Sequence, residues 1–204
     1  MLLTEVVAKK GTYAAVRFSD ETVKKIRQYM KANSIPNRIR SEKLHTTLLY
    51  SRKHLPNYEA AGQFDTPLIG IPTKFDIWKS KPDDGSEPTN CLVLEYECDE
   101  LNARHKKLMA DHGATYDFPD YKTHITLSYS VGDLNIADLS PIKEIVDKIE
   151  IVSEYSEDLN LNWAKDTGLK EERASHDRRK RLSEDDRRDM KVALGYSRVG
   201  LGNV

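Results

Sequence analysis

The sequence predicts an α+β fold: a duplicated, bilobal scaffold of two sheet-plus-helix lobes, related by a pseudo-twofold axis around a central cleft. Three observations predict it. The stretch "KLHTTLLYS" (Lys43–Ser51) is nearly rewritten as "KTHITLSYS" (Lys122–Ser130). The offset of 79 positions between them also pairs Asp20 with Asp99, Glu21 with Glu100 and Met30 with Met109, with no gap from Asp20 to Ser51. Each copy closes the same succession of strand, helix and strand. A chain of 204 residues can bury one good core and carry an appendage.

The first half opens with "TYAAVRF" (Thr12–Phe18), whose aromatic and β-branched residues predict a strand. Ser19 or Asp20 can cap the helix that follows, because a short side-chain oxygen satisfies free backbone N–H groups. Val23, Ile26, Tyr29 and Met30 fall at helical spacing, and Pro36 stops the helix. "LHTTLLYS" is the next strand. Between the halves, "LIGIPTKFDIWKS" predicts a strand pair or one bent strand broken at Pro72, and "KPDDGSEPTN" a hairpin-like turn. The second half repeats the order: "CLVLEYE" as strand, Asp99 as cap, and a helix with Leu101, His105, Leu108 and His112 on one stripe. Gly113 ends that helix and "HITLSYS" is its strand. "PIKEIVDKI" predicts a short helix and "IEIVSEYSEDLNLNW" a last strand, closing a domain over residues 1–163. Residues 164–204 form a separate extension of dense, alternating charge. Its start is expected to be a solvated helix and its glycine-bearing end loose.

Composition narrows the function. No apolar run approaches the roughly 20 residues that span a bilayer, and no charged start leads into a long apolar stretch, so neither membrane nor secretion is expected. Net charge is −1, a poor footprint for gripping long nucleic acid. Charge is uneven, however. Met1–Lys53 holds twelve basic residues against four acidic ones, a local +8 that suits a small anionic ligand. In the extension, Arg178–Arg181 is offset by Glu184, Asp185, Asp186 and Asp189. Cys91 and Cys98 stand seven positions apart, which is no metal or redox spacing; both are expected as reduced thiols.

The repeated phrase carries the chemistry. Side chains alternate along a strand, so His45 and Thr47 share a face, as do His124 and Thr126. If the duplicated halves bring these strands together, two imidazoles and two hydroxyls meet in one cleft. One neutral histidine can take a proton from an attacking hydroxyl while the other, protonated, gives one to the leaving oxygen. The threonines can donate to the non-bridging phosphate oxygens as charge develops. The catalytic set is therefore His45, Thr47, His124 and Thr126, acting on a phosphodiester with no metal and no other cofactor. A two-histidine zinc site is the rival use of the same side chains, but neither strand supplies a third ligand. His54, His105, His112 and His176 have no such pairing, and His105 and His112 are expected to be structural.

These motifs resemble the two-histidine (2H) phosphoesterases, a family recognised by two His-x-Thr/Ser motifs on a duplicated, bilobal α/β scaffold. The resemblance covers Tyr13 to Trp163. Within the family, "FSDETVKKI", "LHTTLLYS", "YKTHITLSYS" and "SEDLNLNW" are most similar to the phage anti-CBASS phosphodiesterases. Those enzymes destroy cyclic di- and trinucleotide signals, such as 3′,3′-cyclic GMP–AMP, that would otherwise activate abortive infection. The resemblance implies the same activity here, in the cytoplasm of an infected bacterium, with a ribose 2′-hydroxyl as nucleophile. It implies that Tyr13 and Trp163 contact bases and that Glu157 accepts from a base amino group. Trp78 is a further stacking candidate, and Glu154 is the substitute for Glu157 if the strand register differs. Two other readings stay open: an RNA-directed 2H phosphoesterase acting on 2′,3′-cyclic phosphates or 2′,5′ linkages, and a nucleotide sponge that binds without cleaving. Base preference, ring size, oligomeric state and the division of acid and base between the histidines are not set by the sequence.

Overall fold

A computed structural model describes residues 10–80, 87–118 and 120–160. The elements in chain order are β1 (Lys10–Phe18), α1 (Asp20–Ala32), β2 (Thr46–Ser51), β3 (Gly62–Lys79), β4 (Asn90–Glu97), α2 (Asp99–His112), β5 (His124–Ser128) and β6 (Ile149–Asn160), with short 3₁₀ turns between some of them. The six strands form a sheet ordered β2-β1-β6-β3-β4-β5, and all five pairings are antiparallel. The order reads alike from either end. A histidine strand sits outermost, the antiparallel strand joined to it through a helix lies next, and β6 and β3 fill the centre. Division into two separate lobes is not established by this sheet, because β3 runs through it, pairing with β6 along its first part and with β4 along its second.

Local chemistry accounts for most of the elements. β1 and β4 carry consecutive buried residues, Ala14–Val16 and Cys91–Leu94, so both faces of these strands are covered. Ser19 caps α1, its Oγ accepting from Thr22 N at 3.2 Å. Ile26, Tyr29 and Met30 form the buried stripe of α1, and the Tyr29 ring stacks on Phe75 of β3 at 5.2 Å. The helix stops at Ala32, ahead of Pro36, as Asn33 folds its N–H back to the last turn. α2 buries Leu101, His105 and Leu108, and Gly113 closes it at φ 56°, a left-handed value open to glycine.

Two expectations are corrected. Asp99 does not cap α2; Cys98 holds that place without a side-chain bond, and Asp99 opens the first turn, where its charge suits the positive helix end. "PIKEIVDKI" forms only a 3₁₀ turn, Ile142–Glu144, because the chain must straighten by Ile149 to enter β6. At the end of the expected stripe, His112 is half-buried and meets the Tyr58 ring edge-on at 5.6 Å. The expected bent strand is β3 itself, with its register shift between Pro72 and Lys74. Cys91 and Cys98 are both free and buried. The expected domain end at 163 and the extension 164–204 lie outside the described residues.

The two halves exchange contacts across their outer strands. Ile39, from the loop after α1, donates its N–H to Leu127 O of β5 at 2.9 Å, and Asn37 Nδ2 reaches Ser130 O at 2.8 Å. Tyr121, from the loop after α2, donates its hydroxyl to Thr47 O of β2 at 3.1 Å, and His105 Nδ1 donates to Leu48 O at 2.8 Å. These loops, with His105 of α2, thus satisfy backbone groups that an outermost strand would leave unpaired. This reciprocal bracing holds the repeated phrases near one another.

Candidate active site

His45 stands one residue before β2 and His124 is the first residue of β5. Both motifs show the same burial alternation: histidine and threonine half-buried, the residue between them buried. His45 and Thr47 therefore share a face, as do His124 and Thr126. Between the motifs, Thr46 Oγ1 donates to the His124 carbonyl at 2.7 Å and accepts from the Tyr96 hydroxyl at 2.8 Å. Tyr96 is itself gripped through its backbone by Thr123, whose carbonyl accepts from Tyr96 N at 3.1 Å and whose hydroxyl donates to Tyr96 O. The two histidine motifs are thus one buried hydrogen bond apart.

The imidazoles are held in the same way. His45 Nδ1 lies 2.8 Å from Lys43 O, and His124 Nδ1 lies 2.8 Å from Lys122 O. A carbonyl only accepts, so Nδ1 carries the proton in each ring and Nε2 is the nitrogen left for chemistry. The surroundings then differ. His45 meets the edge of the Tyr13 ring at 6.2 Å, and the Tyr13 hydroxyl shares a 3.1 Å hydrogen bond with Thr47 Oγ1. Burial raises the Tyr13 phenol well above its usual range, so it stays a neutral hydrogen-bonding group. His124 lies against Trp78, ring centroids 4.4 Å apart, and the indole N–H is held by Asp76 at 3.0 Å. Burial pushes the His124 pKa down. The Lys122 carbonyl opposes that shift, the nearby His45 adds to it, and Glu95 opposes it. His124 therefore favours the neutral, proton-accepting form.

A cavity of about 370 Å³ opens on the His45 side, with Tyr13, Tyr50, Tyr155, Arg17 and Glu157 among its walls. Its volume is that of a small-ligand site. Tyr13 meets Tyr50 and Tyr155 edge-on at 6.4 Å each, and the Arg17 guanidinium lies 4.6 Å from the Tyr155 ring centre. Glu157 is exposed at the cavity rim and sits opposite Tyr13 on the neighbouring strand. The alternative acid, Glu154, has the opposite parity on β6. It is buried and consumed by Arg104, at 2.9 and 3.0 Å, and by the Tyr58 hydroxyl at 2.6 Å. Glu154 is taken up in these buried contacts, whereas Glu157 lines the cavity.

Of the eight site residues expected from sequence, seven are described. His45, Thr47 and Tyr13 gather beside the cavity, with Glu157 at its rim; His124 and Trp78 touch across from them, and Thr126 shares the His124 face. Trp163 lies outside the described residues. Tyr155, Tyr50 and Arg17 were missed. Tyr155 carried a usable signal, lying two positions from Glu157 and so on its face of β6. Tyr50 and Arg17 depend on the β1–β2 register and had none. His105 is structural as expected: it stacks on Tyr121 at 4.0 Å, 6° from coplanar.

Residues 10–166 match the model of a family described as anti-CBASS protein Acb1. Among curated relatives, the anti-CBASS protein Acb1 of Enterobacteria phage T4 is 36% identical over 156 residues, covering 76% of this chain and 93% of its own. The one of Yersinia phage phiR1-RT is 37% identical over 166 residues, covering 81% and 99%. A solved structure, TT0787 of Thermus thermophilus, aligns with TM-score 0.42 at 14% identity over 72% of this chain and 83% of its own, a likeness too slight to assign a fold. The family model spans both histidine motifs, the phage relatives carry the same description, and the chain belongs to the anti-CBASS protein Acb1 family.

Proposed function

We propose that the protein is a metal-independent two-histidine phosphodiesterase that linearises cyclic di- and trinucleotide signals, such as 3′,3′-cyclic GMP–AMP, inside a phage-infected bacterium. Removing such signals is an anti-CBASS function in the sense of the family's name. The observation that carries the reading is the paired clamp: two imidazoles, each fixed through Nδ1 on the carbonyl two residues earlier, joined through the Thr46 bond. A pair of fixed Nε2 atoms suits one proton acceptor and one proton donor. In the reaction, a ribose 2′-hydroxyl loses its proton to one Nε2 and its oxygen bonds to the adjacent phosphorus. The bond from phosphorus to the 5′ oxygen breaks, and that oxygen takes a proton from the other Nε2. The product is a linear oligonucleotide ending in a 2′,3′-cyclic phosphate, which water can open by the reverse proton movements. Thr47 and Thr126 donate to the phosphate oxygens, and the duplicated, bilobal arrangement supplies the equivalent positions. Tyr13, Tyr50 and Tyr155 offer ring faces to a base, and Glu157 accepts from its amino group.

The test is chromatographic. The protein is incubated with 3′,3′-cyclic GMP–AMP in excess EDTA, beside His45→Ala and His124→Ala variants. Linear product from the wild type and none from either variant is expected. Binding without turnover would make the protein a sponge. Inertness toward every cyclic nucleotide, with cleavage of 2′,5′-linked or 2′,3′-cyclic RNA ends, would move the substrate to RNA.

A further inference from the structure

The two histidines are clamped alike, and His124 has a nearly buried carboxylate as its cross-strand partner. Glu95 of β4 is the cross-strand partner of His124. Such partners share a face, with Cβ atoms ~4.5–5.5 Å apart. The position 79 residues earlier is Val16, which stands opposite Thr46, so no carboxylate holds the matching place in the first half. The Glu95 side chain is only 13% exposed, and its Oε2 lies 3.5 Å from Lys74 Nζ. Its Oε1 is the one buried side-chain nitrogen or oxygen, among the described residues, without a hydrogen-bond partner. A buried, underpaired carboxylate oxygen is costly and calls for an explanation.

We propose that Glu95 is a positioning residue for His124: its carboxylate stabilises the imidazolium formed when His124, as general base, takes the proton of the attacking hydroxyl, which leaves His45 as the general acid. This rests on the phosphodiesterase reading above. In the resting enzyme His124 is neutral, and Glu95 Oε1 is underpaired. When Nε2 accepts the proton, positive charge spreads over the ring, and the carboxylate across the strand pair offsets it. The hydrogen bond from Nδ1 to Lys122 O is retained throughout, so Glu95 acts through space. The groups that face His124 are Trp78 of β3, Glu95 of β4 and His45 ahead of β2. Behind Glu95 stand Lys74 and Asp76, 3.9 Å apart. Burial and His45 favour the neutral ring, and Glu95 keeps it basic enough to accept. His45 shares its cavity with Lys43, the tyrosines, Glu42 and Glu157, but both of those carboxylates are exposed, whereas Glu95 is nearly buried.

The experiment compares wild type, Glu95→Gln and Lys74→Met in two readouts. One is the pH profile of kcat on 3′,3′-cyclic GMP–AMP; the other is the ring titration of His124 followed by NMR. Glu95→Gln removes a negative charge and should lower the His124 pKa, moving the acidic limb to lower pH by about one unit, with a several-fold lower plateau. Lys74→Met removes the positive charge behind Glu95 and should move the limb the other way. Shifts of opposite sign are something simple structural damage does not produce. Unmoved titrations in both variants overturn the proposal. So does a raised KM with unmoved limbs, which would make Glu95 a substrate contact, or a shift confined to the alkaline limb, which would make His124 the acid. If the wild type turns over no cyclic nucleotide, the phosphodiesterase reading fails instead, and the NMR titration still reports whether Glu95 and His124 are coupled.

Discussion

Replacing Thr46 with valine should weaken the seam between the two histidine motifs without changing side-chain volume. Thr46 is fully buried, and its hydroxyl accepts from Tyr96 at 2.8 Å and donates to His124 O at 2.7 Å. Valine abolishes both. The Tyr96 hydroxyl, on a residue only 3% exposed, is then a buried donor with nothing to meet. Each orphaned group costs about 1–3 kcal/mol, so Thr46→Val should cost about 3 kcal/mol. For a chain of this size that lowers Tm by roughly 6–12 °C. Tyr96→Phe alone should cost less, because Thr46 keeps its bond to His124 O. The double variant should be less damaged than the sum, by about 1 kcal/mol, since the orphaned phenol has gone. Urea unfolding of the four proteins measures this directly. A Thr46→Val cost below about 0.5 kcal/mol, or strict additivity with Tyr96→Phe, would refute the account of the seam. Cleavage by folded Thr46→Val should also fall, because the His124 backbone loses its anchor beside His45.

Three further outcomes follow from the same geometry. Gly70→Ala would set a methyl against the Tyr96 ring; overpacking of that kind costs about 1–3 kcal/mol, and thermal unfolding should show it. Arg104→Ala strips the buried Glu154 of its cation and should cost about 3 kcal/mol in urea unfolding, yet leave KM unchanged in the protein that folds, because neither residue is among the cavity walls. Tyr155→Ala removes a ring face of the cavity and should raise KM about tenfold, within the ~1–3 kcal/mol of one stacked base, with kcat little changed in steady-state assays. On pH, burial lowers the pKa of both His105 and His124 from 6.5. Their unfolded forms then bind protons more readily. The stability they contribute is complete above about 6.5 and lost as pH falls through their lower folded values. A urea midpoint that holds or rises on moving from pH 7 to 5 would contradict this.

Much of the frame was legible because it is written in local periodicity. The buried stripe of α1, the Ser19 cap and the Gly113 stop follow from spacings within one helix. The Asp99 cap was misread because Cys98 is a poor signal in a position that backbone geometry alone can fill. The helix at 141–149 was misread because its local pattern yielded to the pairing demands of β6. At the site, His45, Thr47, His124 and Thr126 could be placed on shared faces from alternation alone. Arg17 and Tyr50 could not be placed at all, since their approach to the cavity depends on which residues of β1, β2 and β6 stand side by side.

The sequence by itself determined the repeated histidine phrase and the strand–helix–strand order around each copy, because each is a property of neighbouring positions. Only the tertiary structure buried Glu154 and put Glu157 at the cavity, set Glu95 opposite His124, and laid Trp78 against that histidine. All three depend on strand register, and in a strand a shift of one residue sends every side chain to the opposite face. No local pattern carries that parity across pairings that join β4 to β5 through a helix, or β1 to β6 from the two ends of the described chain.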